Sequence, residues 1–185
     1  MAIAPLLDLL FHGNQLKRTA RTGWAQRGVP NAENVAAHSF GVAFATGLLA
    51  QVMEEPVDVG KALTMALLHD LPEGLTSDIP TPAWGYLPAG LKAQVERSAM
   101  QEIVGQGSLA AGLMALWEEL TAAVTPEARL VHDADKIDLY LQALIYEEQT
   151  GNRHLAEFWQ DAPVFYFPQA RAIYEVLCSR RMSGE

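Results

Sequence analysis

The stretch Ala62-Leu63-Thr64-Met65-Ala66-Leu67-Leu68-His69-Asp70 sets an apolar run directly against an imidazole and a carboxylate. It reads as a helix closed by a polar pair. Around it, apolar residues recur at spacings of three and four through most of the chain, and alternating runs rich in β-branched residues are scarce. The predicted class is all-α. An ionised carboxylate at the end of so apolar a run needs a cation, a set of hydrogen bonds or exposure at the helix end, because burial without a partner is costly.

Working outward, the periodicity predicts helices at about residues 3–17, 33–53, 58–70, 88–104, 108–122, 126–149, 153–160 and 168–181. Several boundaries have physical causes. Pro56 cannot donate within a helix, whereas Asp58 is suited to cap the next one, and Thr125-Pro126 reads as an N-cap followed by proline at the first helical position. The segment Asp78-Ile-Pro-Thr-Pro-Ala-Trp-Gly-Tyr-Leu-Pro88 is too rich in proline for a continuous helix and is predicted to be a rigid, irregular loop.

The 185 residues fit a single compact helical domain over 1–185, with a core at about 10–160 and a C-terminal helix packing on it. Half the residues are apolar and 19% are charged, enough apolar surface for one core. Cys178 is the only cysteine, so no internal disulfide forms, which favours a reducing, cytoplasmic setting. The apolar opening Met1–His12 lacks a basic start and carries Asp8. It is shorter than the roughly 20 apolar residues of a membrane span and reads as an amphipathic core helix, not a membrane anchor. A net charge of −9 argues against duplex nucleic acid as a partner. The local basic group Lys17, Arg18, Arg21 and Arg27 leaves room for a small phosphorylated ligand or for a solvated patch.

Two further positions stand out. His38 lies among apolar neighbours inside a long predicted helix, either as a hydrogen-bonded core histidine or as a ligand. In Val131-His-Asp-Ala-Asp-Lys-Ile-Asp138, residues Asp133, Asp135 and Asp138 compete for any special role. Asp135 shares a helical face with His132 and Asp138, while Asp133 points elsewhere. Two imidazoles and two carboxylates would suit one divalent ion such as Mn, Co, Fe, Ni, Zn or Mg, and ligand type does not choose among them.

The order His38, His69-Asp70, Asp135 resembles the HD-domain superfamily of helical metal-dependent phosphohydrolases. Arg21-Thr-Gly-Trp24, Glu33-Asn-Val-Ala-Ala-His-Ser39, Ala66-Leu-Leu-His-Asp-Leu-Pro-Glu73 and Asp78-Ile-Pro-Thr-Pro82 look like successive motifs of its 5′-deoxynucleotidase branch. That resemblance implies metal ligands at His38, His69, Asp70 and Asp135, and acids managing water and protons at Glu73 and Asp78. It implies substrate contacts at Arg21, Trp24, Thr81 and Pro82, and a homodimer. Glu73 follows His69 by four and Asp70 by three, so all three share a face if the helix survives Pro72. Trp24 is otherwise a core residue, Glu73 a solvent-facing acid, and Thr81 and Pro82 mere loop stiffeners. Two positions depart from the branch: Ala37 stands where relatives often carry an acid, and Ser77 where glycine is usual.

The function implied is release of phosphate from nucleoside 5′-monophosphates, deoxy forms preferred, by metal-activated water. The same site on another phosphorylated metabolite or a nucleotide polyphosphate is the enzymatic alternative, and a non-catalytic nucleotide-binding protein the other.

Overall fold

Side chains fix where the principal helices begin. In this computed structural model, which describes residues 3–183, Asn34 accepts from Ala37 N at 3.0 Å to start α3 (Val35–Leu49). Asp58 accepts from Lys61 N at 3.0 Å to start α4 (Val59–Leu68), and Thr125 from Ala128 N at 3.4 Å to start α9 (Pro126–Thr150). Each cap satisfies a backbone donor that the first turn leaves without a partner. Gly151, at φ 64°, ends α9 by donating its N–H to Glu147 O.

Helices α3, α4 and α9 pack on one another and form the centre. Val42, Leu49, Met65, Leu130, Val131 and Ile137 fill it, and the fully buried alanines Ala62, Ala66, Ala128 and Ala134 let the helices approach closely. Truncating a side chain as buried as Met65 or Leu130 to alanine costs about 2–5 kcal/mol. Around this centre lie α1 (Ile3–Gln15), α7 (Leu91–Val104), α8 (Ser108–Ala122) and α10 (Pro168–Ser183). Helix α7 packs on α1 and α8, α8 on α4 and α9, and α10 on α9. The all-α class is what the sequence predicts, and no strand occurs among the described residues.

The departures have local causes. Helix α1 buries none of its described residues and leaves Ile3, Leu7, Leu10 and Phe11 exposed, so it is not the core helix expected; Met1 and Ala2 lie outside the described residues. Helix α4 stops at Leu68, four residues before Pro72, whose ring would meet the Leu68 carbonyl in a continuous helix. The chain resumes as the single turn α5 (Glu73–Thr76). Inside the proline-rich segment a further turn forms, α6 (Thr81–Trp84), where an irregular loop was predicted. Pro82 falls in its first turn, where a missing N–H costs nothing. A short helix that periodicity misses, α2 (Thr22–Gln26), precedes α3. Residues Arg153–Trp159 are 3₁₀ where an α-helix was predicted. Among the described residues no helix is long and apolar enough to cross a membrane.

Of the three competing aspartates in α9, Asp133 has a scaffolding task. Fully buried, it accepts from the backbone N–H of Tyr166 and Phe167, both at 2.9 Å, and faces Lys136 Nζ at 3.4 Å. Lys136 in turn donates to Val164 O at 2.7 Å. The strap leading into α10 is thereby pinned to α9.

Candidate metal centre and substrate cavity

His38 is fully buried on α3, and its Nδ1 lies 2.7 Å from Asp138 Oδ2 on α9. His69 Nδ1 lies 2.7 Å from the Ala66 carbonyl one turn back. A carbonyl or carboxylate oxygen accepts, so both rings carry hydrogen on Nδ1 and turn Nε2 inward. The two Nε2 atoms face each other at 3.3 Å. Asp135 Oδ1 stands 3.1 Å from His38 Nε2, and Asp70 Oδ2 stands 3.1 Å from His69 Nε2 and 3.6 Å from His38 Nε2.

This donor set fits a cation. Two ring lone pairs at such separation repel unless a proton or a metal lies between them, and two carboxylates add negative charge at the same point. His38, His69 and Asp135 present ligand atoms that all lie within 4.8 Å of one another, a spread compatible with one ion bonded at about 2.0–2.2 Å. Without a cation, protons hold the cluster. Burial pulls the His38 imidazole down, but hydrogen bonds to Asp135 and Asp138 overcome it and raise the pKa to about 10. His69 is raised too, burial opposing and Asp70 prevailing. Burial pushes Asp135 and Asp70 up, yet the imidazoles hold both below the usual carboxylate range.

With Ala37 beside it on α3, His38 takes its carboxylate partner from Asp138 on α9. Such partners fix ring orientation and raise ligand basicity. Asp138 and Asp135, three residues apart, share the face that periodicity assigned them, which separates the three aspartates by role. Gly41 on α3 leaves the space into which the Asp138 carboxylate fits.

A cavity of about 250 Å³ opens beside this cluster, lined by Arg21, Trp24, Asp70, Glu73, Asp78 and Asp135 among others. Arg21, from the N-terminal edge of α2, places Nη1 3.5 Å from Asp70 Oδ2. It is the cation of the N-terminal basic group that lines the cavity; Arg18 binds Gln15 and Asn14, and Arg27 pairs with Glu157. Despite the break at Pro72, Glu73 lines the cavity with Asp70, since Pro72 keeps helical angles (φ −54°, ψ −29°). Burial, followed by the charges of Asp70 and Asp78, raises the Glu73 carboxyl to about 9, and its buried Oε2 has no hydrogen-bond partner. Asp78 is engaged differently. Its Oδ2 accepts from Thr22 N at 2.8 Å and its carbonyl from Thr22 Oγ1 at 2.7 Å, tying the proline-rich loop to α2.

Trp24 is at once core and wall. It is 1% exposed, donates Nε1–H to Glu33 Oε1 at 3.0 Å and packs against Tyr146 and Phe158, yet it borders the cavity. Pro82 does not line that cavity. The α6 turn carries it to another hollow with Arg27 and His154, and Pro80 takes its place on the wall. The Thr81 side chain lies outside the described residues. Sequence reading missed Lys92 and Glu96 on α7, and Leu139 and Phe158, which also border the cavity. No motif marked them, and the elements carrying them meet only in the tertiary fold.

The chain is 32% identical over 180 residues to the 5′-deoxynucleotidase HDDC2 of Danio rerio, spanning 95% of this chain and 88% of that protein. It is 36% identical over 143 residues to the 5′-deoxynucleotidase HDDC2 of Dictyostelium discoideum, with 73% and 74% of the two chains covered. A solved structure of a conserved hypothetical protein from Pyrococcus furiosus superposes with a TM-score of 0.80 at 37% identity, covering 94% of this chain and 99% of that one. A family model described as an HD domain matches residues 13–165, and the chain belongs to that family.

Proposed function

We propose that the protein is a metal-dependent 5′-deoxynucleotidase, releasing phosphate from deoxyribonucleoside 5′-monophosphates. The observation that carries this is the pair of inward Nε2 atoms of His38 and His69, 3.3 Å apart beside Asp70 and Asp135 and next to Arg21. The names of the relatives from Danio and Dictyostelium support the choice of substrate.

His38, His69, Asp70 and Asp135 would hold one divalent ion, and mixed nitrogen and oxygen ligands leave Mn, Co, Fe, Ni, Zn and Mg all open. When bound, such an ion lowers the pKa of water and offsets charge developing on a phosphoryl group. The chain's own residues do the rest. Arg21 pairs with phosphate oxygens through its planar fork. Glu73, with a buried oxygen lacking a partner, is the group placed to carry a proton to or from the reacting oxygens. Asp78 anchors Thr22 and so sets the position of Arg21 and Trp24. Trp24 closes the wall beside the sugar, offering no hydrogen-bond partner for a 2′-hydroxyl because its N–H is committed to Glu33.

We also infer a homodimer. Phe40, Phe44, Leu48 and Val52 form an exposed apolar stripe along and just beyond α3, whose opposite face is core. A helix apolar all round is ordinarily covered on all sides.

Purified protein stripped and reloaded with single metals, assayed for phosphate release from deoxy- and ribonucleoside monophosphates, tests the reading. Turnover with deoxy forms preferred is expected; no release from any nucleoside monophosphate with any of the six metals would overturn it.

A further inference from the structure

The catalytic cluster accounts for one end of the cavity, and its other walls are unassigned. Helix α7 and the 3₁₀ segment Arg153–Trp159 reach the cavity from separate sides, α7 packing on α1, α5 and α8 and the 3₁₀ segment on α9. From α7 come Lys92 and Glu96, one turn apart, with Lys92 Nζ 3.5 Å from Glu96 Oε1. From the other side come Phe158 and Leu139. Phe158 is fixed by the Arg27 guanidinium, 4.2 Å above its ring, and by Trp24, whose ring centroid lies 4.8 Å away.

Depth orders these groups. Arg21 and Asp70 are 15% and 20% exposed and Glu96 26%, whereas Lys92, at 55%, stands at the rim and Asp135, at 41%, faces the open cavity from the cluster. A phosphate drawn to the inner cluster therefore leaves the distal part of its molecule between α7 and Phe158. Burial raises the Glu96 carboxyl, which marks it as a wall residue and not a freely solvated surface acid. A nucleobase is the part of a nucleotide that matches such walls: its faces are apolar and stack on aromatic rings, and its edge carries hydrogen-bond donors and acceptors side by side.

We propose that Lys92 and Glu96 form the nucleobase-edge contact of the cavity, with Phe158 and Leu139 as the apolar wall, so that they favour nucleotides over base-free sugar phosphates. The ammonium donates to a ring nitrogen or carbonyl, and the carboxylate accepts from an amino or imino N–H. Every common base offers both kinds of group, so the pair selects for a base without choosing one. This rests on the nucleotidase reading of the site.

Wild-type, K92M and E96L proteins loaded with manganese are compared on deoxyadenosine 5′-monophosphate and on deoxyribose 5-phosphate. Binding of deoxyadenosine, the product without phosphate, is measured in parallel by calorimetry. Each variant is expected to lose about tenfold or more in kcat/KM on the nucleotide, the scale of one hydrogen bond to a charged group, while staying within about twofold on the sugar phosphate. Deoxyadenosine affinity is expected to fall to match. Equal losses on both substrates would place the pair at the phosphate and overturn the proposal, as would an unchanged nucleotide rate. If wild-type protein turns over neither substrate with manganese, nor any nucleoside monophosphate with the other five metals, the nucleotidase reading fails, and the deoxyadenosine titration alone decides the pair: weaker binding by the variants supports it and unchanged binding overturns it.

Discussion

Gly41 on α3 and Asp138 on α9 meet so closely that a methyl group on Gly41 would overlap Asp138 Oδ1 and lie 2.7 Å from its Cγ. The same carboxylate takes the hydrogen of His38 Nδ1 through Oδ2 at 2.7 Å. A glycine in the middle of a helix sacrifices about 1 kcal/mol of helix propensity relative to alanine. Here the sacrifice admits the group that orients a buried imidazole.

Two substitutions test that relationship. Gly41→Ala should gain helix propensity and still weaken the centre, because Asp138 must move away from His38. Asp138→Asn should keep the shape but lose the charge behind the ring. Partners of this kind contribute about 10–100-fold in metal affinity, and both variants are expected to fall in that range by competition with a metallochromic chelator. Wild-type affinity in G41A would show that Asp138 is not what holds His38.

Asp133 and Asp135 should part company under the same treatment. Asp133→Ala removes the acceptor of two backbone N–H groups in a fully buried position, which should cost about 3 kcal/mol in urea unfolding. The folded fraction should bind metal normally. Asp135→Asn should abolish turnover and metal binding outright, and it should also lower metal-free stability near neutral pH, because the buried His38 imidazolium loses a carboxylate that holds its proton. A stable D133A, or a D135N that retains metal, would show the two roles to be misassigned.

That contrast shows what was readable in the chain and what was not. Helical periodicity placed Asp135 and Asp138 on one face and turned Asp133 from it, and this much is local geometry. Which carboxylate meets Nε2 and which meets Nδ1 depends on the crossing of α3 and α9, residues about 100 positions apart, and local spacing carries no such information. Pro72 reads as a break, and the spacing put Glu73 beside Asp70 only on condition that the turn survives it; the helical angles that Pro72 keeps meet that condition. Lys92, Glu96 and Phe158 lie on elements whose common boundary exists only after folding. The α6 turn was lost because proline count reads as disorder of the helix, whereas proline in a first turn is compatible with it.

Removal of the metal should register in stability as well as in rate. A ligand bound to the folded state alone stabilises by about 2.7 kcal/mol at a free concentration of 100 Kd. For a chain of this size each kcal/mol is worth about 2–4 °C, so excess chelator should lower the Tm by about 5–10 °C. Asp70→Ala should lack that response, since its metal is already absent. A chelator-insensitive wild-type Tm would argue against a metal held by this cluster.

Ser77 occupies φ 62° and ψ 164°, a region open essentially to glycine alone. Relief of that strain is worth about 1–3 kcal/mol, offset by about 0.5–1 kcal/mol of extra unfolded-state entropy in glycine. Ser77→Gly is therefore expected to raise the Tm modestly, and Ser77→Ala, which keeps the strain, to leave it near wild type. A lower Tm for S77G in calorimetric scans would show that the loop does not hold this conformation.

The two acids of the cavity are held differently. Glu73 has a buried oxygen without a partner, whereas Asp78 spends Oδ2 on Thr22 N. Glu73→Gln should therefore lower kcat by about 10²–10⁴, the usual share of a positioned acid or base, with KM and bound metal little changed. Asp78→Ala frees Thr22, and with it Arg21 and Trp24, so KM should rise more than kcat falls. Asp78→Asn retains an oxygen that accepts from Thr22 N and should restore KM. A D78N enzyme as slow as E73Q at saturating substrate would show that Asp78 shares the proton-carrying role, and a fast E73Q beside a slow D78N would move it to Asp78, because only the charge, and not the anchor, has then been lost.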